Sequence, residues 1–97
     1  MTIAKTREGG KLILALEGRL DTTTAPQLEA EVKHLDGVTE LVLDFEKLEY
    51  LSSAGLRVIL AAQKIMNRQG KLLICHVNAT ILEIFEVTGF CDIFTVQ

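Results

Sequence analysis

Two adjacent serines, Ser52 and Ser53, stand in "YLSSAGLRVIL", between an apolar segment and the first turn of a helix, with Gly55 just beyond. A serine oxygen at such a junction can do three kinds of chemistry. It can cap the helix by accepting an orphan backbone N–H, a bond worth about 1 kcal/mol. It can act as a nucleophile if a base and a sharp strand-to-helix turn are present. It can accept a phosphoryl group, because a helix N-terminus offers free N–H groups and the positive end of the helix dipole. Phosphorylation would add about −1.5 to −2 charges. The phosphate oxygens could still take the helix N–H bonds, so the fold would stay while the outward surface changed.

The nucleophile reading has the least support. A hydrolase elbow needs Gly-x-Ser-x-Gly so that the backbone can turn sharply, and "LSSAG" has Leu51 where the first glycine belongs. His76 follows an apolar strand and could approach Ser53, but no acid-base-nucleophile order is evident. His76 and His34 fit strand-end or surface positions. Cys75 and Cys91 show neither metal-ligand spacing nor a Cys-x-x-Cys pair, and Cys75, inside "KLLICHV", fits a small core residue. There is no Gly-x-x-x-x-Gly-Lys loop. Neither an enzyme nor a bound metal, nucleotide or other cofactor is expected.

The serines need a scaffold, and the chain supplies one. "TIAKTREGGKLILALEG" predicts a hairpin, with Gly9 and Gly10 at a turn that takes positive φ at both central positions. Its first strand suits an edge, and its second, nearly continuously apolar, suits burial on both faces. Thr24 is placed to cap the next helix, with Gln27 reaching back and Pro26 in the first turn. Leu28, Val32 and Leu35 share one face of that helix, and Gly37 closes it. "ELVLDF" is a short strand, followed by the connector "EKLEYLS". A helix from about Ala54 to Gln69 follows, with Gly70 as a left-handed terminator. It is apolar around much of its circumference, so it is either covered or offers apolar surface to a partner. "KLLICHV" is a strand, and Asn78 caps a third helix carrying Ile81, Leu82 and Phe85, which Gly89 ends. "DIFTV" is a last strand.

The expected order is β-β-α-β-α-β-α-β, an α/β fold with a mixed, mostly parallel sheet, an N-terminal hairpin and three to four helices. Helices between apolar strands imply right-handed parallel crossovers. The functional surface then falls beyond the carboxyl ends of the strands, at Gly18 to Thr24, Phe45 to Ser53 and His76 to Asn78.

Composition agrees. Ninety-seven residues allow one domain, residues 1–97, and 48% hydrophobic content argues for an ordered core. A net charge of −3 counts against a nucleic-acid partner. No apolar run approaches the roughly 18 residues of a membrane span, and "MTIAKTREGG" lacks a signal-peptide core. A cytoplasmic protein is expected.

Three segments together, "GRLD", "LVLDFEKLEYLSSAGLRVIL" and "GKLLICHVNATILEIFEVTGFCDIF", resemble the STAS domain of bacterial anti-sigma factor antagonists over almost the whole chain. The resemblance implies a partner-switching regulator, monomeric outside its complexes. In that family the unmodified protein binds an anti-sigma factor, often a GHKL-type serine kinase, and thereby frees a sigma factor. The kinase phosphorylates the serine before the helix, and a PP2C-type phosphatase resets it. Aligning the usual Asp-Ser-[Ser/Thr/Ala]-Gly-Leu motif on Gly55-Leu56 implies modification at Ser53. Ser52 takes the usual aspartate position and becomes a second-choice acceptor. Asp21 matches the family's acidic residue in the loop after the second strand. The implied partner surface comprises Asp21, Thr22, Thr23, Ser52, Ser53, Gly55, Leu56 and Arg57. Arg57 could meet a partner's carboxylates or the phosphate itself, or be a solvated surface arginine. The alternative within the same family is an unphosphorylated subunit of a larger assembly, such as a lipid-transport ABC system or a stress-signalling complex.

Overall fold

Alternation with period two in the strands and 3.6 in the helices puts the apolar residues on one side of each element. A computed structural model describes all residues, Met1–Gln97. The strands are β1 (Thr2–Glu8), β2 (Lys11–Leu20), β3 (Glu40–Leu51), β4 (Lys71–Cys75) and β5 (Thr95–Val96). The helices are α1 (Ala25–Val32), α2 (Ser53–Gln69) and α3 (Ala79–Thr88), and a short 3-10 turn covers Phe90–Asp92. The element order is the expected one. The sheet runs β1-β2-β3-β4-β5, with β1 antiparallel to β2 and every other pair parallel.

Each parallel crossover steps to the next position in the same direction. Right-handed crossovers that all step one way must all pass over the same face. Burial follows this rule. The cross-strand rows Leu12–Leu41–Leu72 and Leu14–Leu43–Ile74 are buried, none more than 3% exposed. The intervening row Ile13–Val42–Leu73 is only half-buried. One core of 24 buried residues joins the helices to this single face. The expectation that β2 is buried on both faces is therefore corrected: its second face is open.

Several boundaries move. The segment expected as a connector, "EKLEYLS", is mostly strand: β3 continues to Leu51 and pairs with β2 through Glu17↔Lys47, Gly18↔Leu48 and Leu20↔Leu51. Register shifts beside Glu17 and Arg19 break its alternation, and the loop after β2 shrinks to Asp21–Thr24. Helix α1 ends at Val32 with Lys33 as C-cap, short of Gly37, although Leu28, Val32 and Leu35 are all buried. Thr24 is its N-cap but makes no capping bond, and the Gln27 amide donates to the Met1 carbonyl instead. The last strand contracts to Thr95–Val96, with Phe94 buried ahead of it.

Two glycines act through close approach, not through φ. Of the two turn glycines only Gly9 has positive φ, at 58°, the pattern of a turn that needs it at its first central residue alone. A Cβ on Gly10 would lie 2.5 Å from Thr39 Oγ1. Gly70, at φ 172°, is extended instead of left-handed, and a Cβ there would overlap the Thr39 carbonyl. Asn78 and Gly89 behave as expected: Asn78 Oδ1 accepts from Ile81 N at 2.9 Å, and Gly89 is left-handed at φ 80°.

Candidate functional site

The carboxyl ends of β2 and β3 lie side by side, and the backbone joins them: Ser52 N–H donates to the Leu20 carbonyl at 2.9 Å. The bond places the Asp21 loop beside the start of α2. Residues more than thirty positions apart in sequence thus meet at the carboxyl end of the sheet.

The two serines divide the chemistry. Ser52 is the N-cap, with extended backbone (φ −96°, ψ 173°), and its Oγ accepts from Gly55 N at 3.4 Å. Ser53 is the first helical residue and is exposed. Its hydroxyl takes no part in the cap, and it stands where the helix dipole favours an anion.

Asp21 organises its loop. Its Oδ1 accepts from Thr23 Oγ1 at 2.7 Å, Thr23 N at 3.0 Å and Thr24 N at 3.3 Å. The Thr24 hydroxyl accepts from Asp21 N and donates to the Arg19 carbonyl, both at 2.8 Å. The Thr23 hydroxyl, with the two backbone amides, holds the Asp21 carboxyl below its ordinary value against a smaller opposing effect of burial. Arg19 Nε lies 3.7 Å from Asp21 Oδ2, and its guanidinium sits 4.3 Å above the Tyr50 ring. Tyr50 is one of the few large apolar side chains left exposed.

Of the residues expected on a partner surface, Thr22, Thr23, Ser53 and Arg57 are exposed, and Asp21 and Ser52 are half-buried. Gly55 and Leu56 are buried beneath them. Gly55 lets α2 pack on the sheet, since a Cβ there would lie 2.6 Å from Leu20 Cγ and 2.8 Å from Leu51 Cδ1. Arg57 lines a shallow groove between α1 and α2 with Thr22, Pro26, Glu29 and Ala61. Helix α2 is covered: Val58, Ile59, Ala62 and Met66 are all buried. The more exposed large apolar side chains, apart from Tyr50, are Leu82, Val87 and Ile93, on α3 and near the C-terminus.

The Arg19–Tyr50 stack does not show in the sequence, because "EKLEYLS" reads as a connector, whereas Tyr50 pairs with Arg19 across β2 and β3. His76 does not serve Ser53. Its Nδ1 lies 2.8 Å from Asp44 Oδ1. Cys75 is not a core residue but half-buried on the open sheet face, across from Asp44.

No helix is long and apolar enough to cross a membrane. The model of the STAS domain family matches residues 2–97. BtrV of Bordetella bronchiseptica, assigned by name to the anti-sigma factor antagonists, is 40% identical, over 99% of this chain and 85% of its own length. An anti-sigma-B factor antagonist of Staphylococcus aureus (strain NCTC 8325) is 33% identical, covering 82% of this chain and 77% of its own. Among solved structures, the antagonist SpoIIAA in its unphosphorylated form superposes with a TM-score of 0.78 at 17% identity, covering 99% of this chain and 87% of its own. The phosphorylated form of SpoIIAA, described as a Bacillus cell fate determinant, gives the same score at 18% identity, with 99% and 91% covered.

Proposed function

This chain belongs to the STAS domain family, and from that premise we propose that it is an anti-sigma factor antagonist switched by phosphorylation of Ser53. The observation that carries the reading is the division between the serines. Ser52 holds the helix N-terminus, and Ser53 presents a free hydroxyl at the same place. Serine for aspartate at position 52 keeps a good N-cap residue, because both side chains accept the same backbone N–H.

Unmodified, the chain binds an anti-sigma factor of the GHKL serine-kinase type through Thr22, Thr23, Ser53 and Arg57, and so releases a sigma factor. Asp21 and Ser52 shape that surface from below, and Gly55 and Leu56 anchor it to the core. The kinase transfers a phosphoryl group to Ser53 Oγ, and a PP2C-type phosphatase removes it. Phosphate on Ser53 adds negative charge next to the ionised Asp21 carboxylate, while the helix dipole keeps the N-terminus in place. The partner meets like charge and added bulk on an unchanged fold. The protein's work is binding, not catalysis.

The test is co-purification of the kinase with the native chain, with Ser53→Ala and with Ser53→Asp. Ser53→Ala should bind like the native chain and resist release by ATP, and Ser53→Asp should bind at least about tenfold more weakly, a loss of about 1.4 kcal/mol. Equal binding of all three before and after ATP would end the switch. Capture of an ABC-type ATPase in place of a kinase would favour the reading as an unphosphorylated assembly subunit.

A further inference from the structure

The open face of the sheet carries a group of donors that the Ser53 switch does not use. Asp44 comes from β3, and Cys75 and His76 come from the end of β4. One ligand atom from each lies within 4.8 Å of the other two. Asp44 and Cys75 are register partners, so their side chains leave the sheet on the same, open side. His76 follows Cys75 directly and in an extended chain would point to the opposite face. Its φ of 58°, the one positive value outside glycine, breaks that alternation and returns the imidazole to Asp44.

We propose that Asp44, Cys75 and His76 form a binding site for a divalent cation of the zinc class. A thiol, an imidazole and a carboxylate together suit Zn²⁺, whereas Mg²⁺ and Ca²⁺ take oxygen donors. Metal bonds of about 2.0 to 2.3 Å in a tetrahedron separate neighbouring ligands by roughly 3.3 to 3.7 Å. To reach that spacing Asp44 Oδ1 and His76 Nδ1, 2.8 Å apart, have to separate, and Cys75 Sγ, within 4.8 Å of both partners, has to stay close or draw in. The Glu46 amide donates to Asp44 Oδ1 at 3.0 Å and orients the carboxylate, as supporting hydrogen bonds do around metal ligands. Solvent takes the fourth position.

Burial, then the charges of Asp44 and Glu46, push the Cys75 thiol up. The Asp44 hydrogen bond, followed by its charge, pushes His76 up. Both shifts hold protons that a metal ion has to displace. On binding, the Cys75 S–H proton passes to solvent, the S–metal bond forms in its place, and His76 binds as neutral imidazole. The ion would tie β3 to β4 on the face away from the helices, so it stands apart from the Ser53 surface.

The experiment uses the full chain, reduced and stripped with a chelator, titrated with Zn²⁺ by calorimetry and with Co²⁺ by absorption. One equivalent should bind, raise Tm and give a thiolate-to-cobalt charge-transfer band. Cys75→Ser and His76→Asn should each lose the band or weaken binding by at least about tenfold. Asparagine is chosen because it tolerates the left-handed backbone. Asp44→Asn, which preserves shape, should weaken binding with the fold intact by circular dichroism, and Cys91→Ser should change nothing. Absence of Zn²⁺ binding by the native chain, or binding that survives both Cys75→Ser and His76→Asn, overturns the site.

Discussion

Ser52 Oγ accepts the Gly55 N–H, and that bond leaves the hydroxyl of the next residue, Ser53, outside the cap. The capping oxygen and the free hydroxyl on which the proposed switch rests thus belong to neighbouring residues. Ser52→Ala should cost about 0.5 to 1 kcal/mol, the lower half of the usual N-cap range because the bond is long. Ser53→Ala should stay within about 0.5 kcal/mol of the native chain. Urea denaturation of both variants distinguishes the roles, and the reverse order of stabilities would make Ser53 the cap.

Gly55→Ala pits two effects against each other. Alanine gains up to about 1 kcal/mol over glycine in a helix interior. The new methyl, however, enters space held by Leu20 and Leu51, both at most 2% exposed, and such overpacking costs about 1 to 3 kcal/mol. The collision should win, with a net loss of about 1 kcal/mol or more by thermal or urea unfolding. A stabilised variant would show that α2 shifts freely on the sheet.

Gln69 ties the end of α2 to the segment before β3, its Nε2 donating to the carbonyls of Leu35 at 2.5 Å and Val38 at 2.7 Å. Gln69→Met keeps the shape and removes both donors. It should destabilise by about 1 to 3 kcal/mol, because two partly buried acceptors lose their partner. Hydrogen exchange should rise first in residues 33–39.

Asp21 sets a pH limit on its loop. Its carboxyl is held below the ordinary 3.8, chiefly by the Thr23 hydroxyl. A depressed carboxyl stabilises above its unfolded value, and that contribution fades as pH falls through the lower folded value. The Thr23 and Thr24 amide resonances should therefore hold steady down to about pH 4 and move together below it. Movement centred well above that pH would show that the threonine bonds do not form in solution. Asp21→Asn should abolish the transition.

Most of the scaffold was legible because its signals are local. The Asn78 cap, the Gly9 turn, the α2 span and the element order each follow from residues within a few positions of one another. What was missed depends on distant partners. The second half of β3 hides behind charged residues, since its bulged pairing with β2 replaces alternation by the wider spacing of Leu48 and Leu51. The open face of the sheet does not show in β2 alone; it follows only once every crossover is known to step the same way. Asp44 and His76 lie 32 residues apart, and the backbone twist that brings them together belongs to a histidine, a residue that does not announce positive φ as glycine does. That a serine caps α2 was legible, but which of the two does so was not, because either serine satisfies the same capping rule.

The order of strands in the sheet repeats their order in the chain, and this bears on how the molecule first forms. No strand has to insert between two others already paired, and each one leaving the ribosome finds its neighbour already made. Pairings between consecutive elements keep contact order low for a parallel sheet, and low contact order goes with fast folding. The fold can thus grow outward from the β1–β2 hairpin during synthesis, with few unpaired edges exposed along the way.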